Sequence, residues 1–449
     1  MAAGTAVLPA PDASVSARTR PHVLRWPQRA FTGQTTPARL RLLLAGLLAL
    51  TVVWGAVAAW TVATRTSATN NIVGVSEPLA LDAQQIYRSL SDADATEAAA
   101  FLSGGLEPAA LRRQYQADIA KAALRLETAT ASAGNSRAAS LLATLAAGLP
   151  QYTGLVETAR ADNRLGLPLG AAYLRQASAF MRATLLPAAR DLYAQENAQV
   201  AAANSQATAF PYVAVIVAAI AGFGLIWSQL WLTRRTNRIV SPGMVLASAA
   251  GLATLIWLVI SLSLAAAHTV SARDEGSIPV EALARADIAA LQAHADESLT
   301  LIDRSGDDSF QQDFVTVQRR LGPGLSTLLG TAAVLAHGSP GGSAAAAAAR
   351  AAPDWFAAHR QVRSLDDSGK YLSAVQLAIG SNSPSSGALF GRVDVTLTTA
   401  ISKDQGAFRA AAQAAQTDLA GLEAGVVVLS LLMAAGCARG ITRRLAEYR

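Results

Sequence analysis

The sequence predicts an all-α membrane protein: four transmembrane helices carrying two extracytoplasmic, antiparallel helical segments, each four-helix-bundle-like, that arise from a tandem duplication. Three observations point there. At 52% hydrophobic and only 15% charged over 449 residues, the chain is too apolar to stay dispersed in water. Long uncharged runs recur along it at regular intervals. Net positive charge is confined to short segments beside those runs.

Taken in order, residues 1–41 form a basic tail, rich in proline and arginine up to about Pro37, with the composition of a disordered segment. Leu42–Thr64 then supplies 23 uncharged residues between Arg41 and Arg65, against the roughly 20 that a bilayer core requires. Its length, and the tail ahead of it, distinguish it from a secretory signal peptide. An outer segment, 65–209, leads to a second span at 210–232. A short loop, 233–243, turns the chain back into a third span at 244–266. The second outer segment covers 267–418, the fourth span 419–438, and a tail 439–449 closes the chain. The fourth apolar run is the shortest, with 15 residues from Ala424 to Ala438 between Glu423 and Arg439. It is expected to span by letting Arg439 snorkel and by continuing the helix outward through Leu419–Leu422.

The charge ledger orients these spans. Six arginines stand against one acid, Asp12, in the N-terminal tail. The 233–243 loop holds Arg234, Arg235 and Arg238 with no acid, and the last tail holds Arg439, Arg443, Arg444 and Arg449 against Glu447. Segment 65–208 balances 12 basic and 12 acidic residues, and segment 267–422 sets 12 against 16. Cytoplasmic loops retain arginine and lysine. Both termini and the short loop are therefore expected in the cytoplasm of a multi-pass plasma-membrane protein, with both large segments outside. The net charge of +6 does not argue for a nucleic-acid partner, because it sits at the membrane edge. Arg234, Arg235, Arg238, Arg443 and Arg444 are the candidate contacts for lipid headgroups or a cytoplasmic partner.

A span followed by about 145 outer residues and a second span occurs twice. TVATR at 61–65 leaves the first span and TVSAR at 269–273 the third; LPQYTGLVETAR at 149–160 parallels APDWFAAHRQVR at 352–363; AAYL at 171–174 parallels GKYL at 369–372. The shared order supports an internal repeat. Within the repeats, Leu141, Leu142, Leu145, Leu149, Tyr152, Leu155 and Val156 follow helical spacing, as do Trp355, Phe356, His359, Val362 and Leu365. Breakers at 103–108, 132–135 and 163–168 divide the first segment, and those at 304–309, 337–343, 366–369 and 380–387 the second. About four helices per segment result, in an up-down-up-down bundle. Pro187 should kink the last helix of the first segment, and Ser343 should cap the alanine-rich helix after it.

No catalytic pattern is present. The five histidines lack metal spacing, the single Cys437 excludes an internal disulfide, and no phosphate-binding or nucleophile motif occurs. The four apolar runs hold no Asp, Glu, Lys, Arg or His; Ser228, Gln229 and Ser261 are their notable polar groups, read as helix-packing contacts. No cofactor and no enzymatic activity are expected. In an up-down-up-down arrangement the first and third connections lie far from the membrane, which gathers Asp303, Asp307, Asp308, Asp366 and Asp367 at one apex. Such a group either docks a basic partner, holds a hard cation such as calcium, or simply caps solvated turns.

The basic N-terminal tail, the two-span unit used twice, the TRRTNR loop (233–238) and the RRLAEYR tail (443–449) resemble the GlnX family of actinobacterial four-span membrane proteins, over essentially the whole chain. The resemblance implies a relay. An outer aspartate- or glutamate-binding lipoprotein (GlnH) would report through the membrane protein to a cytoplasmic serine/threonine kinase (PknG). No site residue is carried over with it. The residues alone leave two other readings open, a receptor taking a small molecule directly into an outer bundle and a structural or transporter-accessory protein.

Overall fold

The computed structural model describes residues 36–103, 107–236, 241–303, 308–380, 382 and 384–446. The tail expected to be disordered lies, through residue 35, outside the described residues. Among those described, every regular element is helical. The first half comprises α1 (Thr36–Asn71), α2 (Glu77–Leu102), α3 (Ala109–Ser132), α4 (Ser136–Arg164), α5 (Leu169–Phe180), α6 (Leu186–Thr208) and α7 (Tyr212–Thr236). The second comprises α8 (Pro242–Ser271), α9 (Ile278–Ile302), α10 (Ser309–Leu321), α11 (Leu328–Leu335), α12 (Gly342–Asp367), α13 (Tyr371–Ile379), α14 (Ser386–Leu419) and α15 (Leu422–Ala446).

Four helices are long and apolar enough to cross a membrane, and they fall on the four apolar runs. α1, α7, α8 and α15 pack into one stem around Leu47, Trp54, Leu225, Leu258, Val426 and Met433. Trp60, Ile216, Phe223, Trp227, Leu252, Ile256 and Leu431 point out of that stem and are exposed. A belt of that kind is stable only in contact with lipid. Gln229 of α7 donates to Ser248 Oγ at 2.6 Å and to the Met244 carbonyl at 3.2 Å, and Ser228 bonds back to its own helix. Gln229 therefore ties α7 to α8. α8 and α15 meet most closely: a Cβ on Gly243 would stand 2.5 Å from the Gly440 nitrogen and 2.7 Å from the Gly436 oxygen. Gly436 and Gly440 are the small residues, four apart, that let two membrane helices touch backbone to backbone.

α15 corrects one expectation. The fourth span does not continue outward through Leu419–Leu422, because the chain breaks at Ala420–Gly421, where Gly421 takes a φ of 74° open to glycine. α15 itself runs from Leu422 to Ala446, beyond the apolar run at its C-terminal end.

Beyond the stem, α1 passes through a π-helical turn (Ile72–Ser76) straight into α2, and α8 through another (Ala272–Ser277) into α9. The two resulting rods run 64 residues (Arg39–Leu102) and 61 residues (Pro242–Ile302). At 1.5 Å per residue they are about 90–100 Å long. α2 lies between α3 and α6, and α9 between α10, α11 and α14, while α2 and α9 also pack on each other. The helix breaks sit where Gly, Pro, Ser and Asn cluster, with two differences. Gly322-Pro323-Gly324 adds a break between α10 and α11, and Thr327 Oγ1 closes it by donating to the Gly322 and Gly324 carbonyls. α12 starts at Gly342, so Ser343 is inside the helix; the N-cap is Gly341, whose N–H donates to Asp404 Oδ1 of α14 at 2.6 Å. Pro187 falls just after a π-helical turn (Met181–Leu185), the local answer to the hydrogen bond that proline removes.

Candidate functional site

The helices α2 and α9 carry sequences unlike ordinary amphipathic ones. Ser91–Leu102 reads SDADATEAAAFL and Leu291–Ile302 reads LQAHADESLTLI, each mixing alanines with acids. Alanine lets neighbouring helices approach closely on several sides, so both stretches are buried almost all round. A buried carboxylate is costly unless paired and hydrogen-bonded. Asp94, Glu97, Asp287, Asp296 and Glu297 are each at most 3% exposed, and each finds a partner.

In the first half Glu97 receives Arg160 of α4, with Nε at 3.0 Å from Oε1 and Nη2 on Oε2. Arg160 also holds Glu107 at 3.2 Å and Glu157 at 2.7 Å, and its guanidinium lies 4.3 Å above the Tyr115 ring. Burial outweighs this pairing and pushes the Glu97 carboxyl up to about 7. Asp94 accepts from Tyr152 Oη at 3.2 Å and Ser178 Oγ at 2.7 Å; burial raises its pKa as well. In the second half Glu297 takes the place of Glu97. His359 Nδ1 lies 2.9 Å from Oε1, and Ser386 Oγ donates to both oxygens at 2.7 and 2.8 Å. His294 Nδ1 is 3.7 Å from Oε2. Burial works against ionisation, but the two imidazoles outweigh it and hold the Glu297 carboxyl down, to about 2. His359 also stacks on Phe314 with centroids 3.4 Å apart.

The remaining acids tie the halves together. Arg88 of α2 bridges Asp287 of α9 at 3.2 Å and Asp394 of α14 at 2.6 Å. Arg182, in the π-helical turn before α6, bonds Asp296. Arg175 of α5 bonds Asp303 at 2.5 Å. Nearer the stem, Gln405 donates to Gln84 at 3.0 Å, Arg409 to Glu77 at 3.1 Å and Gln416 to Asn70 at 2.8 Å. Burial lifts the carboxyls of Asp287 and Asp296 to about 7 in spite of their arginines. At the distal end, Leu102, Ala159 and Leu174 share one apolar cluster with Leu301, Val362 and Val375. At the stem end the two π-helical turns meet in another, where Ile72 and Ala272 pack with Val200, Ala203, Phe408 and Ala412. A polar seam with apolar ends thus joins the halves over the length of α2 and α9.

The sequence-predicted residues fall at the distal end of this seam and at the opposite end of the stem. The connections bearing Asp303, Asp308, Asp366 and Asp367 do lie at one end, where Tyr371 Oη reaches the Leu301 carbonyl at 3.3 Å. Three of those carboxylates are engaged within the fold: Asp303 with Arg175, and Asp366 and Asp367 with Arg363, each of the latter at 2.8 Å. Asp308 occupies the N-cap of α10, and Asp307 lies outside the described residues. Among the described residues no three His, Cys, Asp or Glu side chains are grouped to hold a metal ion. Arg234 and Arg235 stand on the last turn of α7, Arg443 and Arg444 near the end of α15, and Arg238 lies outside the described residues. Arg234 and Arg443 are exposed. The tight Gly243–Gly440 crossing brings the start of α8 and the end of α15 to the same end of the stem.

Residues 68–205 match the family model of an actinobacterial sensor domain. The match begins in the last turn of α1, takes in the first π-helical turn and ends in α6. It therefore contains the seam residues Asn70, Glu77, Gln84, Arg88, Arg175 and Arg182, together with the buried Asp94, Glu97 and Arg160. No curated protein and no solved structure matches the chain. A sensing role in a multi-pass membrane protein follows from the match and from the four spans.

Proposed function

We propose that the protein is a non-enzymatic transmembrane relay: it takes up the state of an extracytoplasmic amino-acid-binding lipoprotein, for aspartate or glutamate, and passes it to a cytoplasmic serine/threonine kinase. The observation that carries the reading is that one continuous helical rod leads from the stem into the matched sensor domain. α1 enters it as one rod with α2, and the parallel rod α8–α9 lies against it. A displacement of α2 against α9 at the head is transmitted along two stiff helices to the stem. A ligand or partner shifts such an arrangement only by its differential affinity for the two states.

In this reading the termini and the 233–243 loop face the cytoplasm, where Arg234, Arg235, Arg238, Arg443 and Arg444 meet the kinase or anionic lipid. The apex with Asp303, Asp308, Asp366 and Asp367 meets the lipoprotein. The halves descend from a tandem duplication, which the alignment of α2 with α9 supports: it sets Glu97 on Glu297, and both acids are buried. In-cell crosslinking with affinity purification, with and without external aspartate or glutamate, tests the relay. Recovery of a solute-binding lipoprotein and a kinase in solute-dependent amounts supports it. Recovery of neither, with crosslinking working on a control, rejects it. A second reading, direct reception of a small molecule, is favoured by a specific cavity on the seam.

A further inference from the structure

Where α2 and α6 of the first half face α9 and α10 of the second, the seam opens into a cavity of about 330 Å³, near the lower end of the range for small-ligand sites. Leu186, Pro187, Leu291 and Ala295 supply its apolar wall. Its polar lining is unequal. Arg182 enters with one guanidinium nitrogen on Asp296, while the other, Nη2, is buried with no hydrogen-bond partner. Arg190 stands at the mouth, exposed and held only by its neighbour Asp191 at 3.4 Å. The buried Tyr87 phenol lies in the field of both guanidiniums, although burial keeps its pKa raised. Across the opening stand Gln292 and the exposed Asp313. Asp94, deeper in, already has Oδ1 committed to Tyr152 and Ser178.

A buried guanidinium nitrogen left without an acceptor is unfavourable, and a carboxylate is the group that satisfies it with best geometry. The π-helical turn Met181–Leu185 places Arg182 out of the regular helical register, a distortion that recurs at functional sites. Tyr87, Asp94, Arg182 and Arg190 all belong to the stretch matched to the sensor domain, whereas Gln292 and Asp313 come from the other half. We infer that this cavity is a ligand site for a small carboxylate that also carries a hydroxyl or amino donor: its carboxylate sits on Arg182, Arg190 and Tyr87, and its donor faces Gln292 and Asp313. Because the walls belong to both halves, such a ligand binds best in one alignment of α2 with α9 and biases the seam toward it. The inference adds a direct input to the relay proposed above and does not need the lipoprotein.

The test uses the full chain in lipid nanodiscs, with thermal unfolding read from intrinsic tryptophan fluorescence. The probes are malate, serine and glutamate, with succinamide and sodium chloride at matched concentration and ionic strength as controls. At least one acid is expected to raise Tm by roughly 2–4 °C at saturation, and the controls to leave it unchanged. Arg190→Gln should keep the unliganded Tm, since the side chain is exposed, and raise the half-saturating concentration about tenfold. Arg182→Gln should abolish the shift; because it also strands Asp296, the rim variant carries the decision. No shift with any of the three acids, or a shift unaltered in Arg190→Gln, overturns the site. Failure here with solute-dependent crosslinking intact would remove the cavity and leave the relay. A shift here with neither partner recovered would do the reverse.

Discussion

Replacing Arg160 by methionine should destabilise the head by an amount that depends on pH. The substitution retains apolar length along Tyr115 but removes the cation facing Glu97, which is 1% exposed. Stranding one member of a buried pair costs about 3–5 kcal/mol. For a head of about 300 residues that corresponds to a fall in Tm of roughly 5–8 °C. Glu97 has an escape, however. Burial already pushes its carboxyl up to about 7 with Arg160 present, and without the guanidinium it rises further. Each added unit costs about 1.4 kcal/mol when the group is forced to ionise and nothing when it is protonated. The penalty of R160M should therefore be near its maximum at pH 8 and much smaller at pH 5.5, where only the bonds to Glu107 and Glu157 and the contact with Tyr115 are lost. The double variant E97M/R160M removes the charge together with its partner and should recover most of the loss at pH 8. Thermal unfolding of the full chain in nanodiscs at both pH values measures this. A penalty equal at pH 5.5 and 8, or a double variant as unstable as the single one, would refute the assignment of Glu97 as a buried acid compensated by Arg160.

Three further outcomes are expected. Asp287, facing Arg88 and Asp394, and Asp296, facing Arg182, Asp313 and Asp94, titrate near 7 in the fold against about 3.9 unfolded, so the folded state binds more protons between those values. Stability should fall as pH rises from 5 to 7 and level off above, and Asp287→Asn should flatten the slope; Glu297, held near 2, contributes in the opposite sense only below about 4.5. Gly276→Val should force α14 away from the second π-helical turn, because a Cβ there meets Phe408 Cβ at 2.6 Å. A loss of about 1–3 kcal/mol is expected, and a disulfide engineered between α9 and α14 nearby should form more slowly. Gly436→Val should loosen the α8–α15 crossing in the same way, read as faster proteolysis of the detergent-solubilised stem.

Much of this architecture was legible because it rests on local signals. The spans follow from uncharged runs, and the breaks at 103–108, 132–135, 163–168 and 366–369 follow from residues that leave the helical region readily. Tyr152 and Trp355, paired from the repeat alone, are both fully buried on α4 and α12. The misses share a cause: they depend on what stands across the gap. Ser343 has the chemistry of a cap, but Asp404, remote in sequence, reached the N-terminus of α12 first. Leu419–Leu422 reads as apolar and continuous, yet Gly421 turns it into a joint. The buried acids of α2 and α9 were not singled out, because nothing nearby in sequence shows that alanines on every side will bury them. One signal was available: SDADATEAAAFL and LQAHADESLTLI stand 200 positions apart and align Glu97 with Glu297. An acid at the same place in both stretches, inside a helix with alanines around it, marks a position set by packing rather than by solvent.

The seam also bears on how a head of this kind changes state. A wholly apolar interface between α2 and α9 would tolerate small slips, since dispersion contacts re-form at many offsets. The pairs Arg88–Asp287, Arg182–Asp296 and Arg175–Asp303 are spread along the interface from its middle to its distal end. A slide of one helical turn, about 5.4 Å, would separate all three at once and leave buried charges without partners. Intermediate positions are therefore disfavoured more strongly than they would be by packing alone, and the halves hold a register instead of drifting through a continuum. The same charges make the register adjustable from outside. A carboxylate entering the cavity would add a second acceptor to Arg182 beside Asp296, and protonation of Asp287 weakens its hold on Arg88. Each alters one tie among three, which biases the alignment of two long rods without dismantling the core that supports them.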